Sequence, residues 1–119
     1  MRYLLVVTSV ASKKDARRLA RLLVCERLSS CVNILPAESV YKWGPKIAEE
    51  KEYVLLCKTE SARYKKIEEL LLNEHPYALP AIYALPVEKG SKNYLKWVST
   101  QLRKKTSEES VYPPSYLQE

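Results

Sequence analysis

Two long strand-forming runs meet at a single breaker pair, and this feature limits the fold more than any other. CVNILPAESVYKW (31–43) ends at Gly44–Pro45, and KIAEEKEYVLLCKT (46–59) follows at once. Gly-Pro ends regular structure, while β-branched and aromatic residues crowd both flanks, so the segment reads as one long hairpin. A two-residue turn at Gly44–Pro45 makes positions that sum to 89 face each other. Cys57 then opposes Val32 and Cys31 opposes Lys58, unless a bulge near Pro36 shifts the register and brings Cys31 to Cys57. Proline donates no ladder hydrogen bond, so Pro36 marks a bulge, a bend or an edge position.

The rest of the chain arranges itself around this hairpin. YLLVV (3–7) is a short strand. Ser12 caps a helix whose capping box closes at Asp15, and Ala16, Leu19, Ala20, Leu23, Val24 and Leu28 form its apolar stripe to about residue 28. After the hairpin, Ser61 is the expected cap of a second helix with Tyr64, Ile67, Leu70 and Leu71 on one face. PAIYALPV (80–87) is a fourth strand, and Ser91 caps a third helix with Tyr94, Trp97, Val98 and Leu102 as its stripe. The order βαββαβ plus a terminal helix predicts an α+β, ferredoxin-like sandwich with an antiparallel sheet. We expect one domain over 1–103 and a poorly ordered C-terminal tail over 104–119, where TSEESVYPPSYLQE carries no period.

An antiparallel sheet with one wet face should alternate polar and apolar residues. YLLVV and YVLLC do not alternate; both are continuous apolar runs, as in strands covered on two sides. One short third helix covers only part of a sheet face. Self-association, with the open face buried against other copies, is the economical expectation.

Composition excludes several function classes. With 119 residues, 46% of them hydrophobic, the chain can bury a core, and no stretch reaches the 18 apolar residues of a membrane span. The N-terminal apolar run, behind a single arginine, reads as a strand and not a signal peptide, so a cytoplasmic location is expected. Three cysteines without C-x-x-C spacing fit reduced thiols. The net charge of +6 is spread over helices as KKDARRLAR, RYKK and LRKK, which reads as solvated helix faces. Two glycines leave no phosphate-cradling loop. A chain with no phenylalanine lacks the aromatic motif of RNA-binding βαββαβ modules, so no nucleic-acid partner is expected. Nor does any G-x-S-x-G motif or nucleophile–histidine spacing suggest an enzyme.

Two features remain. Tyr41 and Trp43 share a face at the hairpin tip, where large aromatics call for a cover. The single histidine, His75, lies in HPYALP (75–80) between the second helix and the fourth strand. It is either a metal ligand or proton carrier, or a helix end whose charge suits the dipole, with Pro76 forbidding continuation.

RLSSCVNILP, VYKWGPKIAEEKEYVLLCKT, HPYALPAIYALPV and NYLKWV, in this order, resemble the CutA divalent-cation tolerance proteins over roughly residues 3–103. The resemblance implies a compact homotrimer related to the PII signalling proteins, without established enzymatic activity. Its protomers would join through the long hairpin, and it is linked to copper and other divalent ions. It carries a metal-binding role, for Cu²⁺ or Zn²⁺, onto His75, and places Tyr41, Trp43, Lys58 and Tyr77 at an inter-subunit cleft. The chain departs from the family pattern at Ala78 and Ala81, where acidic residues are usual, and at Val7, where some members carry a cysteine implicated in metal binding. Glu74, Glu49, Glu50 and Glu52 are the remaining carboxylate candidates. An alternative reading is a PII-like regulatory protein that binds a small anionic ligand between subunits through Lys58.

Overall fold

In the computed structural model, which describes residues 2–103, the chain builds β1 (Tyr3–Val10), α1 (Lys13–Cys25), β2 (Cys31–Trp43), β3 (Lys46–Glu60), α2 (Tyr64–Glu74), β4 (Ile82–Val87) and α3 (Lys92–Arg103). A single antiparallel sheet has the order β2-β3-β1-β4, which is the ferredoxin-like arrangement. The expected tail over 104–119 lies outside the described residues.

The hairpin register is the one the turn dictates: Trp43 faces Lys46, Val32 faces Cys57 and Cys31 faces Lys58. Gly44 has φ +59, the left-handed value that a two-residue turn with glycine at its first central position requires. Pro36 faces Tyr53 with the register unbroken on either side, so there is no bulge. Because β2 is an edge strand, the missing donor costs the ladder nothing. β1 accompanies β3 only from Tyr53 to Glu60, and the hairpin beyond Tyr53 projects past the sheet. The longest molecular dimension is accordingly 48 Å, against 31 and 28 Å.

Period-two alternation sorts the strands into two faces. Val6, Val10, Leu55 and Cys57 point to the side of α1 and α2, where they close a core with Ala16, Leu19, Leu23, Leu28, Ile67 and Leu71. Burial pushes the Cys57 thiol up to about 12, so it stays a thiol and packs as a small hydrophobe. On the other face, α3 covers one end only. Val98 and Leu102 are buried, and Glu60, 2% exposed, accepts a 2.6 Å hydrogen bond from the Ser99 hydroxyl and pairs with Arg103 at 3.3 Å. The Tyr3 hydroxyl lies 2.6 Å from Ser99 Oγ. The remainder of this face is apolar and open: Leu35, Tyr83 and Leu85 are 43, 52 and 49% exposed around the buried Val7.

Two helix boundaries differ from expectation. α1 stops at Cys25 rather than near residue 28, because Arg27 adopts φ +58 and the chain turns back. The Leu28 amide bonds the Leu23 carbonyl at 2.9 Å and the Arg27 amide bonds that of Val24 at 3.0 Å, which is a Schellman motif. Leu28 and Leu23 both enter the core, as that motif favours. Ser61 does not cap α2; Ser61–Arg63 form a 3₁₀ turn, and α2 starts at Tyr64 with no side-chain cap. Ser12 and Ser91 do cap their helices, Ser12 Oγ accepting from the Asp15 amide at 3.1 Å and Ser91 Oγ from that of Tyr94 at 3.3 Å.

Candidate functional site

α2 ends where the β1 terminus and the projecting hairpin meet, and the HPYALP loop fills that junction. His75 follows the last helical residue with φ −73 and ψ 135, its amide still bonded to the Leu71 carbonyl at 2.8 Å. The extended backbone is what the following Pro76 imposes. The imidazole turns away from the helix end toward β1 and is 8% exposed. Nε2 lies 2.8 Å from the Ser9 carbonyl oxygen, and Nδ1 accepts the Tyr77 amide at 3.1 Å. The rings of His75 and Tyr77 sit 4.8 Å apart at 58°.

These partners set the protonation state. A carbonyl can only accept and an amide can only donate, so Nε2 carries the proton and Nδ1 carries the lone pair. Burial lowers the His75 pKa; the Ser9 bond and the charges of Asp15 and Glu52 oppose this, and Arg18 reinforces it. The expected charge–dipole role of His75 at the helix end is therefore replaced by two neutral hydrogen bonds.

Beyond the ring, the Tyr77 hydroxyl donates to Glu52 Oε2 at 2.9 Å. Hydrogen bonds from Ser39, Tyr77 and Ser9 hold the Glu52 carboxyl below its usual range against the effect of burial. Burial, and then the bond to Glu52, push the Tyr77 hydroxyl up. Tyr41 stands on the same hairpin face and bonds Glu50, and Trp43 meets its ring edge-on at 6.3 Å and 87°. Trp43 is 70% exposed, against 38% for Tyr41.

The sequence candidates thus divide into separate places. Tyr41 and Tyr77 gather around Glu50 and Glu52, and Trp43 stands against Tyr41. Lys58 lies at the far end of the hairpin, opposite Cys31 and ten positions along β2 from Tyr41, roughly 33 Å at strand rise. Its ammonium donates to Asn33 Oδ1 and approaches Cys31 Sγ at 3.8 Å. Among the carboxylate candidates, Glu74 is engaged by Arg18 through its side chain at 3.0 Å and its carbonyl at 2.7 Å. Strand alternation puts Glu49 on the opposite face from Glu50 and Glu52. Val7 sits within the open apolar face, and Ala78 and Ala81 are exposed. The roles of Ser9 and Ser39 were invisible in sequence, because they depend on which strand ends meet.

A divalent cation does not fit this donor set within one protomer. Both imidazole nitrogens are engaged, and a cation at Nδ1 would displace the Tyr77 amide. Among the described residues, no three His, Cys, Asp or Glu side chains gather closely enough to hold a metal.

Fold and site together define a class: a ferredoxin-like protomer with an overlong hairpin, a His-Pro-Tyr junction and an uncovered sheet face. The CutA1 divalent ion tolerance protein family matches this class over residues 4–101, and the chain belongs to that family. It is 42% identical over 94 residues to the divalent-cation tolerance protein CutA of Thermus thermophilus, covering 78% of this chain and 91% of that one. It is 39% identical to human protein CutA over 73% of this chain but 49% of the human one, so it spans about half the length of that relative. Among solved structures, the T. thermophilus protein superposes with a TM-score of 0.78 at 40% identity, covering 81% of this chain and 94% of that one. The CutA1 structure from Oryza sativa gives 0.84 at 33% identity, covering 87 and 96%.

Proposed function

We propose that the chain is a non-enzymatic, cytoplasmic divalent-cation response protein that works as a homotrimer. The observation that carries the assembly is the uncovered face of the sheet. Leu35, Tyr83 and Leu85 lie in one layer with Val54, Leu56 and Val7, and such a contiguous apolar surface calls for a partner. The projecting hairpin adds unpaired strand edge and the exposed Val40, Trp43 and Ile47 beside it, which suits strand addition between copies. Family membership supplies the divalent-ion reading, with copper and zinc as the cations to test. Light scattering on the purified protein should return three times the protomer mass; a monomer would overturn the assembly.

A second reading is favoured by one observation. Lys58 is a half-buried cation whose partners, among the described residues, are an amide oxygen and a thiol and no carboxylate. An ammonium in that state suits a small anion, as a PII-like regulator would bind it between subunits. A thermal-shift screen with nucleotides and carboxylate metabolites should raise Tm for a true ligand, and Lys58→Met should abolish that rise.

A further inference from the structure

We infer that His75 is a positioning residue, a neutral latch that holds Tyr77 against Glu52, and not a ligand for a divalent cation. The ring spans two chain segments. Nε2–H donates to the Ser9 carbonyl at the end of β1, and Nδ1 accepts the amide of Tyr77 two residues on. That second bond bends the loop back over the imidazole and sets the two rings 4.8 Å apart, tilted at 58°. The Tyr77 hydroxyl then reaches Glu52 Oε2 on the hairpin, the third bond of a continuous path from β1 through the loop to β3. Each of these bonds has fixed polarity. Only the Nε2–H tautomer satisfies both neighbours, because Nδ1–H would point a proton at the Tyr77 N–H. A cation on Nδ1 would leave the Tyr77 amide unpaired, and one on Nε2 would leave the Ser9 carbonyl unpaired. Either cost falls on a junction that is mostly buried. Pro76 and Pro80 restrict the loop on both sides of Tyr77, so the latch has few backbone torsions left to fix. The inference concerns bonds inside one protomer and stands whether or not the chain assembles as proposed above.

The single histidine makes the test unambiguous. In ¹⁵N-labelled protein at neutral pH, the imidazole spectrum should show the Nε2–H tautomer. A coupling across the N–H···N hydrogen bond should join His75 Nδ1 to the Tyr77 amide. Adding one equivalent of Zn²⁺ should leave both unchanged, and calorimetric titrations of wild type and His75→Ala with Cu²⁺ and Zn²⁺ should agree. Tyr77→Phe should keep the tautomer and the coupling while losing the contact to Glu52. The Nδ1–H tautomer, an absent coupling, or a Zn²⁺-induced shift of either ring nitrogen would overturn the latch. These measurements on the wild type decide the matter even if His75→Ala does not fold.

Discussion

At the scale of single residues, His75 and Glu52 are two titratable groups whose surroundings act in the same direction on acid stability. Burial holds the folded His75 pKa below its ordinary value near ~6.5. Between the two values the unfolded chain carries a proton that the folded chain does not, so stability falls as pH drops through the unfolded value. It levels off once the folded value is passed. Glu52 is held low by its hydrogen bonds, and its contribution is full above the ordinary carboxylate range and lost as pH falls through the folded value. Urea midpoints measured from pH 8 to pH 3 should therefore decline in two stages. His75→Gln should remove the first stage and leave the second; a variant with the wild-type profile would show that His75 does not titrate as described. Hydrogen-bond partners, and not residue type alone, separate the neutral His75 from the charged one that suits a helix end.

At the scale of elements, the two left-handed residues ask for opposite experiments. Arg27 occupies the position of a Schellman motif where glycine is usual, so Arg27→Gly should stabilise by roughly 0.5–1 kcal/mol. Gly44 stands at the hairpin turn with φ +59 and open space where a Cβ would go. Gly44→Ala meets no clash and should cost about 1 kcal/mol through backbone strain alone. Denaturant midpoints at constant m-value measure both changes. The hairpin was legible in sequence because its turn chemistry, alternation and length agree. The start of α2 was not, because Ser61 offers a cap that the chain passes over in favour of a 3₁₀ turn. There, the Ser61 amide bonds the Arg2 carbonyl at 2.9 Å, and this contact with a distant segment outweighs a local propensity.

At the scale of the whole molecule, the proposed assembly would tie stability to the open sheet face. Leu85→Glu places a charge on the β4 side of that face without touching the core beneath α1 and α2. It should convert the proposed trimer to a folded monomer in light scattering, and Tm should lose its dependence on protein concentration. An unchanged mass would show that the face is not the interface.

Sequence alone determined the element order, the hairpin and its turn, two of the three helix caps and the apolar character of both sheet faces. Each of these follows from local chemistry: turn residues, side-chain period and hydrogen bonds within a few positions. Tertiary structure alone decided what His75 does and how Lys58 stands apart from Tyr41 and Tyr77. It also decided that Pro36 leaves the hairpin register unbroken and that Glu52 joins the His-Pro-Tyr loop. Those outcomes depend on which carbonyl, amide or carboxylate another segment brings within 3 Å, and a single imidazole can ligate, titrate or latch until its two nitrogens find their partners.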